Sequence, residues 1–392
     1  MTQQKAIDMS NKRALVMSYS TIHSDPRVLR EVEWLLSDGW AVDTVGFGDG
    51  IKGEKIRHFE VRMRPFPIRV PLYAILNGSA RYKILVESQL PDLSELGNIC
   101  YDLVLANDLD FLPWCTDKIF NSTLSDSKTK WHLDLHEYFG DQGHGTIWKL
   151  LFRKYHQWLF GYTTSDVWTT RSTVAEGIAD LYSQLVDFKD MKIVRNAPRY
   201  SGLLPTLPQE DKIKLVYHGV ADLDRGLEEL VHSVKHLDER FELHLLLMGN
   251  SRAIKKLKRA VIEDSVEGRV FFHNPVDVEE IPKAINPYDL EVIFFPPVTE
   301  NLRHALPNKF FEAVQASIGV VIGDSPNMRA IIETEKFGLV VDGWQFSDLV
   351  SALNGLDRAT VNEMKINASN ASKKLNSEYE RTNFLSEIAN GH

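Results

Sequence analysis

The sequence predicts an α/β chain built as two doubly wound domains facing a cleft. Three observations predict it. Short apolar runs of strand length alternate with amphipathic stretches of helix length, the signature of parallel βαβ units. The alternation lapses near residue 200 and then restarts. A chain of 392 residues also exceeds what one compact core usually holds.

RALVMSY, from Arg13, reads as the first strand, and DPRVLREVEWLLSDG as an amphipathic helix with Asp25 as N-cap, Pro26 at the first helical position and Gly39 as the stop. AVDTVGFG follows as a strand. Further buried strands are expected at YDLVLAN, KWHLDLH and SDVWTTR, with KIVRNAP closing the half. RYSGLLPTLPQEDK carries two prolines, polar residues and little periodicity, and reads as linker. Beyond it, KLVYHG, FELHLLLMG, RVFFHN, LEVIFFPP and IGVVIGD are expected strands, separated by helices such as DRGLEELVHSVKHL and EIPKAIN. From Phe346 to about Ile388 the chain reads as helical and polar with no further strand. The domains expected are 1–198, a linker 199–211, 212–372, and a helical segment 373–392 that packs back on the first.

Composition narrows the class. Hydrophobic residues at 43% and charged residues at 25% are ordinary for a globular chain, and the formal charge of −9 argues against general nucleic-acid binding. Cys100 and Cys115 are the only cysteines, which excludes a disulfide scaffold or a cysteine-rich zinc site and fits a reducing compartment; the bland reading of both is small buried apolar residues. No signal-peptide pattern or apolar run of about 20 residues is present, so a cytoplasmic protein that does not span a membrane is expected. GxGxxG after the first strand, GxxxxGK[ST], HExxH and GxSxG are absent, which weakens the oxidoreductase, P-loop, zincin and α/β-hydrolase readings.

In doubly wound sheets ligands bind beyond the carboxyl ends of strands, so the polar residues there are the candidates. In HALPNKFFEA, Asn308 is expected to cap a helix whose N-terminus suits a diphosphate, with Lys309 in its first turn and Glu312 placed to grip a sugar hydroxyl. The competing reading is a capped surface helix. KLVYHGVADLDRG offers Gly219 and Arg225, a guanidinium that can recognise a diphosphate or lie solvated at a helix start. Asn250 and Asn274 lie in turns that can line a base pocket. In the first half His136 and Glu137 follow a strand, and a carboxylate beside a histidine raises its protonated fraction. Asn107, Asp108 and Asp110 follow another strand; two nearby acids can hold a metal or hydroxyls, and Asp110 can equally cap a helix before Phe111.

SDPRVLREVEWLLSDGW, ANDLDFLP, DLHEYF, RNAP, the HG…DRG loop and LPNKFFEA, taken in order, resemble the retaining glycosyltransferases of family four, of the GT-B fold. The resemblance implies two Rossmann-like domains: an N-terminal one presenting the acceptor, a C-terminal one binding a nucleotide-diphosphate sugar, and a last helix returning to the first. It implies transfer with retention to a glycan, lipid-linked or other hydroxyl acceptor, of the hexosyltransferase type, in bacterial cell-surface polysaccharide or glycoconjugate synthesis. It places Gly219, Arg225, Asn250, Asn274, His304, Asn308, Lys309 and Glu312 on the donor, with Glu312 as the second acid of the E-x7-E motif, on the ribose. It places Ser20, Asp25, Arg27, Asn107, Asp108, Asp110 and Glu137 on the acceptor side. His136, Arg225 and Lys309 would be catalytic, with no cofactor and no obligatory metal. Two positions depart from the pattern: His304 stands where the first acid belongs, with Glu300 out of register, and Val220 stands where a basic residue usually follows the strand-end glycine.

Six Lys/Arg lie between Ile51 and Val70, and IWKLLFRKYHQWLFGY carries three and no acid. Basic residues interleaved with aromatics suit an anionic membrane face or a lipid-linked acceptor, so peripheral contact at the inner face is expected; a core helix with a solvated basic edge is the alternative for the second segment. A nucleotide-sugar epimerase and a non-catalytic glycan-binding or scaffolding partner are the rival functions.

Overall fold

The computed structural model describes residues 12–62, 76, 78–96, 99–139, 146–186, 188, 191–222, 225–249 and 251–390. They divide into two compact units, residues 1–194 with 381–392, and residues 195–380.

In the first unit seven strands lie in the order β3-β2-β1-β4-β5-β6-β7: β1 (Arg13–Thr21), β2 (Ala41–Phe47), β3 (Ile56–Glu60), β4 (Leu103–Asn107), β5 (Lys130–Leu135), β6 (Thr170–Thr173) and β7 (Lys192–Ile193). Every neighbouring pair of strands is parallel. Strands buried on both faces tolerate near-continuous apolar sequence, which is why LVM, LVLA and VDTV read as they do. The strand order reverses between β1 and β4, and Ser18 pairs with Asn107 there. Pro26–Ser37 is helical because Pro26 is pre-set for a first helical position and the Asp25 side chain accepts from the Arg27 and Val28 amides. Its apolar stripe, Val28, Val32 and Leu35, is buried with Ala14, Val16 and Leu105. The terminal helix Ser377–Asn390 contributes Phe384 and Ile388 to the same core.

In the second unit six parallel strands repeat the design in the order β10-β9-β8-β11-β12-β13: β8 (Ile213–Val220), β9 (Phe241–Met248), β10 (Val270–His273), β11 (Leu290–Ile293), β12 (Gly319–Ile322) and β13 (Gly338–Val340). Its reversal point falls between β8 and β11. The stretch 199–212 has no helix or strand but belongs to this unit: Ser201 binds Gln315, and the Leu203 and Leu204 carbonyls accept from Ser317 and Asn286. Buried Gln315 also donates to the Ser372 and Leu375 carbonyls, satisfying its amide.

Four sequence expectations need correction. IRHFE forms the edge strand β3, unrecognised because it is polar; its Arg57 is bound by Asp43 of β2 at 2.8 Å, so that member of the basic run is already paired. GLV forms the short strand β13, also unrecognised. The strand expected at SDVWTTR begins only at Thr170, because the backbone from Ser165 to Trp168 closes a turn, the Trp168 amide donating to the Ser165 carbonyl at 3.3 Å. Cys115 is buried but Cys100 is exposed. Residues 63–70 of the basic run and Asn250 lie outside the described residues. Among those described, no helix is long and apolar enough to cross a membrane.

Candidate functional site

Each unit gathers polar side chains at or beside its strand-order reversal. In the first, the centre is Asp134 on β5, wholly buried. Arg27 grips it with Nε at 2.9 Å and Nη2 at 2.8 Å, and His136 Nε2 lies 2.7 Å from its Oδ2. Ser172 also donates to it, and Arg27 Nη1 reaches the Val194 carbonyl. Burial would raise the Asp134 carboxyl, but Arg27 and His136 hold it well below the usual carboxylate range. Asn107 bridges the remainder: its amide nitrogen donates to Glu31 at 3.1 Å and its oxygen lies 2.8 Å from His136 Nε2. Burial and then the Asp134 charge push Glu31 up to about 8, so it is largely neutral at pH 7.

His136 is thus a fixed imidazole. Burial alone would lower it, but Asp108 and Asp134 outweigh burial and push it up to about 10. Nε2 is held inside the cluster; Nδ1, 3.7 Å from Asp108 Oδ2, is the edge from which it can donate outward. Asp108 accepts from the His136 amide at 3.1 Å and holds a left-handed backbone, φ +60°, an uncommon state for a non-glycine residue that is met at functional sites.

The remaining first-unit candidates separate into two groups. Arg27, expected on the acceptor side, is 3% exposed and committed to Asp134; the reason is that it sits on the helix face that packs on the sheet. Asp25 serves as N-cap. Ser20 hydroxyl lies 2.8 Å from that of Ser18, Glu137 is exposed, and Asp110 is partly buried, with Phe111 and not Asp110 at the N-cap of the helix Leu112–Cys115. Sequence reasoning missed Glu31 and Asp134. Glu31, Asp134 and His136 each bring one ligand atom within 4.8 Å of the others, a metal-sized group, yet Arg27 and protonated His136 already supply the positive charge Asp134 requires.

In the second unit the centre is His218, near the end of β8. Nε2 lies 2.8 Å from Glu312 Oε2, and Nδ1 lies 3.0 Å from Glu291 Oε2 on β11. Lys309 donates to the His218 carbonyl at 2.9 Å, with its ammonium 3.6 Å from the centre of the Tyr217 ring. Gly219 follows at φ +121°, a backbone state that a β-carbon would strain. Arg225 is 41% exposed, with Nε 3.3 Å from Asp222 and its guanidinium over Phe295.

Glu312 and Lys309 lie on the helix Asn308–Gln315, both buried. Asn308 is not its N-cap. Pro307 is, its extended backbone placing its carbonyl to accept from Phe310 at 3.0 Å, so Asn308 is the first helical residue. His304 ends the short helix Glu300–Arg303, and its Nε2 lies 3.6 Å from Glu300: the acid that is out of register in sequence is one helical turn away in space. Asn274 is exposed after β10. Sequence reasoning missed His218 and Glu291; charge interrupting an otherwise apolar strand was the available signal.

Residues 212–357 match the family model described as glycosyl transferases group 1. No curated protein matches. Among solved structures, sucrose-phosphate synthase from Thermosynechococcus elongatus superposes with a TM-score of 0.71 at 14% identity, covering 96% of this chain and 98% of that one. A trehalose-6-phosphate protein from E. coli bound with UDP-2-fluoro glucose gives 0.66 at 12%, covering 97% and 99%. HepE from Anabaena, in complex with UDP, gives 0.66 at 12%, covering 96% and 99%. The chain has the GT-B fold. In this GT-B protein the residues gathered at the second reversal, His218, Gly219, Arg225, Glu291, Lys309 and Glu312, all fall inside the glycosyl transferases group 1 domain.

Proposed function

We propose that this chain is a retaining glycosyltransferase that moves a sugar from a nucleotide-diphosphate sugar to a hydroxyl acceptor, glycan or lipid-linked. One observation carries the reading: Glu312 is a buried carboxylate at the crossover of a glycosyl transferases group 1 domain, oriented by a hydrogen bond to His218, the residue before a strand-end glycine, on a helix whose N-terminus starts one turn earlier. A carboxylate there accepts from a ribose hydroxyl. Partial positive charge from the helix N-terminus and the partly exposed Arg225 guanidinium suit the diphosphate.

Chemistry on such a scaffold needs positioning and electrostatics more than a protein nucleophile. As the anomeric carbon–oxygen bond breaks, electrons pass to the diphosphate oxygen, and that oxygen takes the proton of the acceptor hydroxyl entering on the same face. Configuration is retained. In the first unit His136, protonated at neutral pH, is suited to donate from Nδ1 to a sugar hydroxyl. The exposed Arg153 and Lys154 of the helix Thr146–Phe160, which buries Tyr155 and Leu159, suit peripheral contact with an anionic membrane.

The test is a thermal-shift panel of nucleoside diphosphates and their sugars, followed by product analysis by NMR with candidate acceptors. Ligand binding raises apparent stability by mass action. A uridine or guanosine diphosphate that stabilises the wild type, loses its effect in Glu312→Ala, and yields a product of unchanged anomeric configuration is the expected result. No stabilisation by any nucleoside diphosphate, or an epimerised sugar formed without acceptor, defeats the reading.

A further inference from the structure

His218 stands with a carboxylate on either side. Each of its two ring contacts, 3.0 Å to Glu291 and 2.8 Å to Glu312, needs a proton, so the three groups hold two protons between them whichever atoms carry them. Glu291 is wholly buried between apolar neighbours Leu290 and Val292 of β11, where a hydrocarbon side chain would serve the core at no desolvation cost. Its partners are both on His218: the ring, and the backbone N–H at 3.3 Å to Oε1. A second carboxylate 2.8 Å from the same ring makes the imidazole the piece that reconciles two buried acids. The carbonyl of the same residue takes Lys309, so His218 ties down both charged side chains that the helix Asn308–Gln315 turns inward.

We propose that His218, pinned by Glu291, is a positioning residue for the donor: it fixes Glu312 Oε2 so that this carboxylate meets the nucleotide's ribose hydroxyls in one orientation. The inference rests on the glycosyl-transfer reading of Glu312.

A pH dependence follows from the same geometry. The charged groups facing the ring are Glu291 from β11 and Glu312 from the helix, with Lys309 on its carbonyl; its pairing partner on β9 is apolar Leu246. Burial would lower the imidazole, but Glu291 and Glu312 outweigh it and push it up to about 9. The bridge is therefore intact across neutral pH and comes apart as pH rises through that value.

The experiment compares donor KM, kcat and direct binding of uridine and guanosine diphosphates for wild type, Glu291→Gln and His218→Gln, over roughly pH 6 to 10. Glu291→Gln is expected to raise donor KM about tenfold, the order of one misdirected charged hydrogen bond, with kcat within about twofold. It also brings the alkaline loss of donor affinity down toward neutral pH, which a merely structural role would not do. On the unmodified protein, nitrogen NMR of labelled histidine is expected to find both His218 ring nitrogens protonated at neutral pH and to shift on saturation with the nucleotide; this measurement decides the matter if the variants do not fold. Unchanged KM and pH profile in folded Glu291→Gln, or a His218 signal indifferent to bound nucleotide, overturns the inference while leaving the transfer reading in place. A wild type that binds no nucleoside diphosphate overturns both.

Discussion

Arg27→Met is a direct test of whether the first-unit cluster is built around an internal ion pair. Arg27 is 3% exposed and makes two bonds to Asp134, at 2.8 and 2.9 Å, with Glu31 at 3.4 Å. Methionine keeps the stem's packing and removes the charge. Breaking a buried pair by removing one partner costs about 3–5 kcal/mol, because the other charge stays behind. Here His136 at 2.7 Å still faces Asp134, so the low end, about 3 kcal/mol, is expected. With a urea slope of about 2–3 kcal/mol per molar for a unit of this size, the midpoint falls by about 1 M or more. Tryptophan fluorescence reads it selectively, since Trp344 is the one tryptophan of eight beyond residue 194. Arg27→Met with Asp134→Asn removes both charges and is expected to lose less than the single variant. A midpoint shift under about 0.3 M, with transfer activity abolished, refutes this reasoning and returns Arg27 to a substrate-facing role.

Three further outcomes follow from the same structure. His136 has a folded value near 10, above its ordinary 6.5, so the stability it contributes is complete below about pH 6.5 and lost as pH rises through 10; the deficit of His136→Gln in urea is expected to shrink to nothing across that window, and a pH-independent deficit argues against the charged form. Arg225→Ala is expected to weaken nucleoside diphosphate binding roughly tenfold to a hundredfold and nucleoside binding hardly at all, as titration calorimetry would read. Phe384 is wholly buried, 5.4 Å from the Trp34 ring and 5.7 Å from that of His132, so Phe384→Ala costs about 3–5 kcal/mol, and proteolysis should cut the terminal helix first.

The alternation of strands and helices was legible because it is set locally, by apolar runs and by side-chain caps such as Asp25, and the local rules held at the helix Pro26–Ser37. They failed at the helix that carries Glu312. Asn308 is the better N-cap by propensity, but Pro307 has the extended backbone and the carbonyl that the first turn needs, and it takes the position. The edge strand β3 escaped because its polar IRHFE sequence needs no apolar face; its pairing with β2 is reinforced by the ion pair of Arg57 with Asp43, which no local pattern reveals.

The candidate site was legible in a more uneven way. Motif order points to His136 and Arg225, which lie outside the strands and α-helices, where polar residues are conspicuous, and to Glu312, which stands out among the apolar residues of the helix Asn308–Gln315. Their supports lie inside strands: Asp134 in KWHLDLH, Glu291 in LEVI, His218 in KLVYHG. A strand buried on both faces has no solvent side to receive a charge. A charge placed there has to be matched by another from a neighbouring strand or helix, because an unmatched one would cost several kcal/mol. Asp134 is matched by Arg27 and His136, and Glu291 by His218. The chain tolerates buried charge at or one strand beyond the reversal point of each sheet, in both cases beside a histidine: His136 on Asp134, and His218 between Glu291 and Glu312. A sheet needing only stability would fill those positions with valine, and under the proposed function the two histidine bridges are where each unit holds a working side chain still.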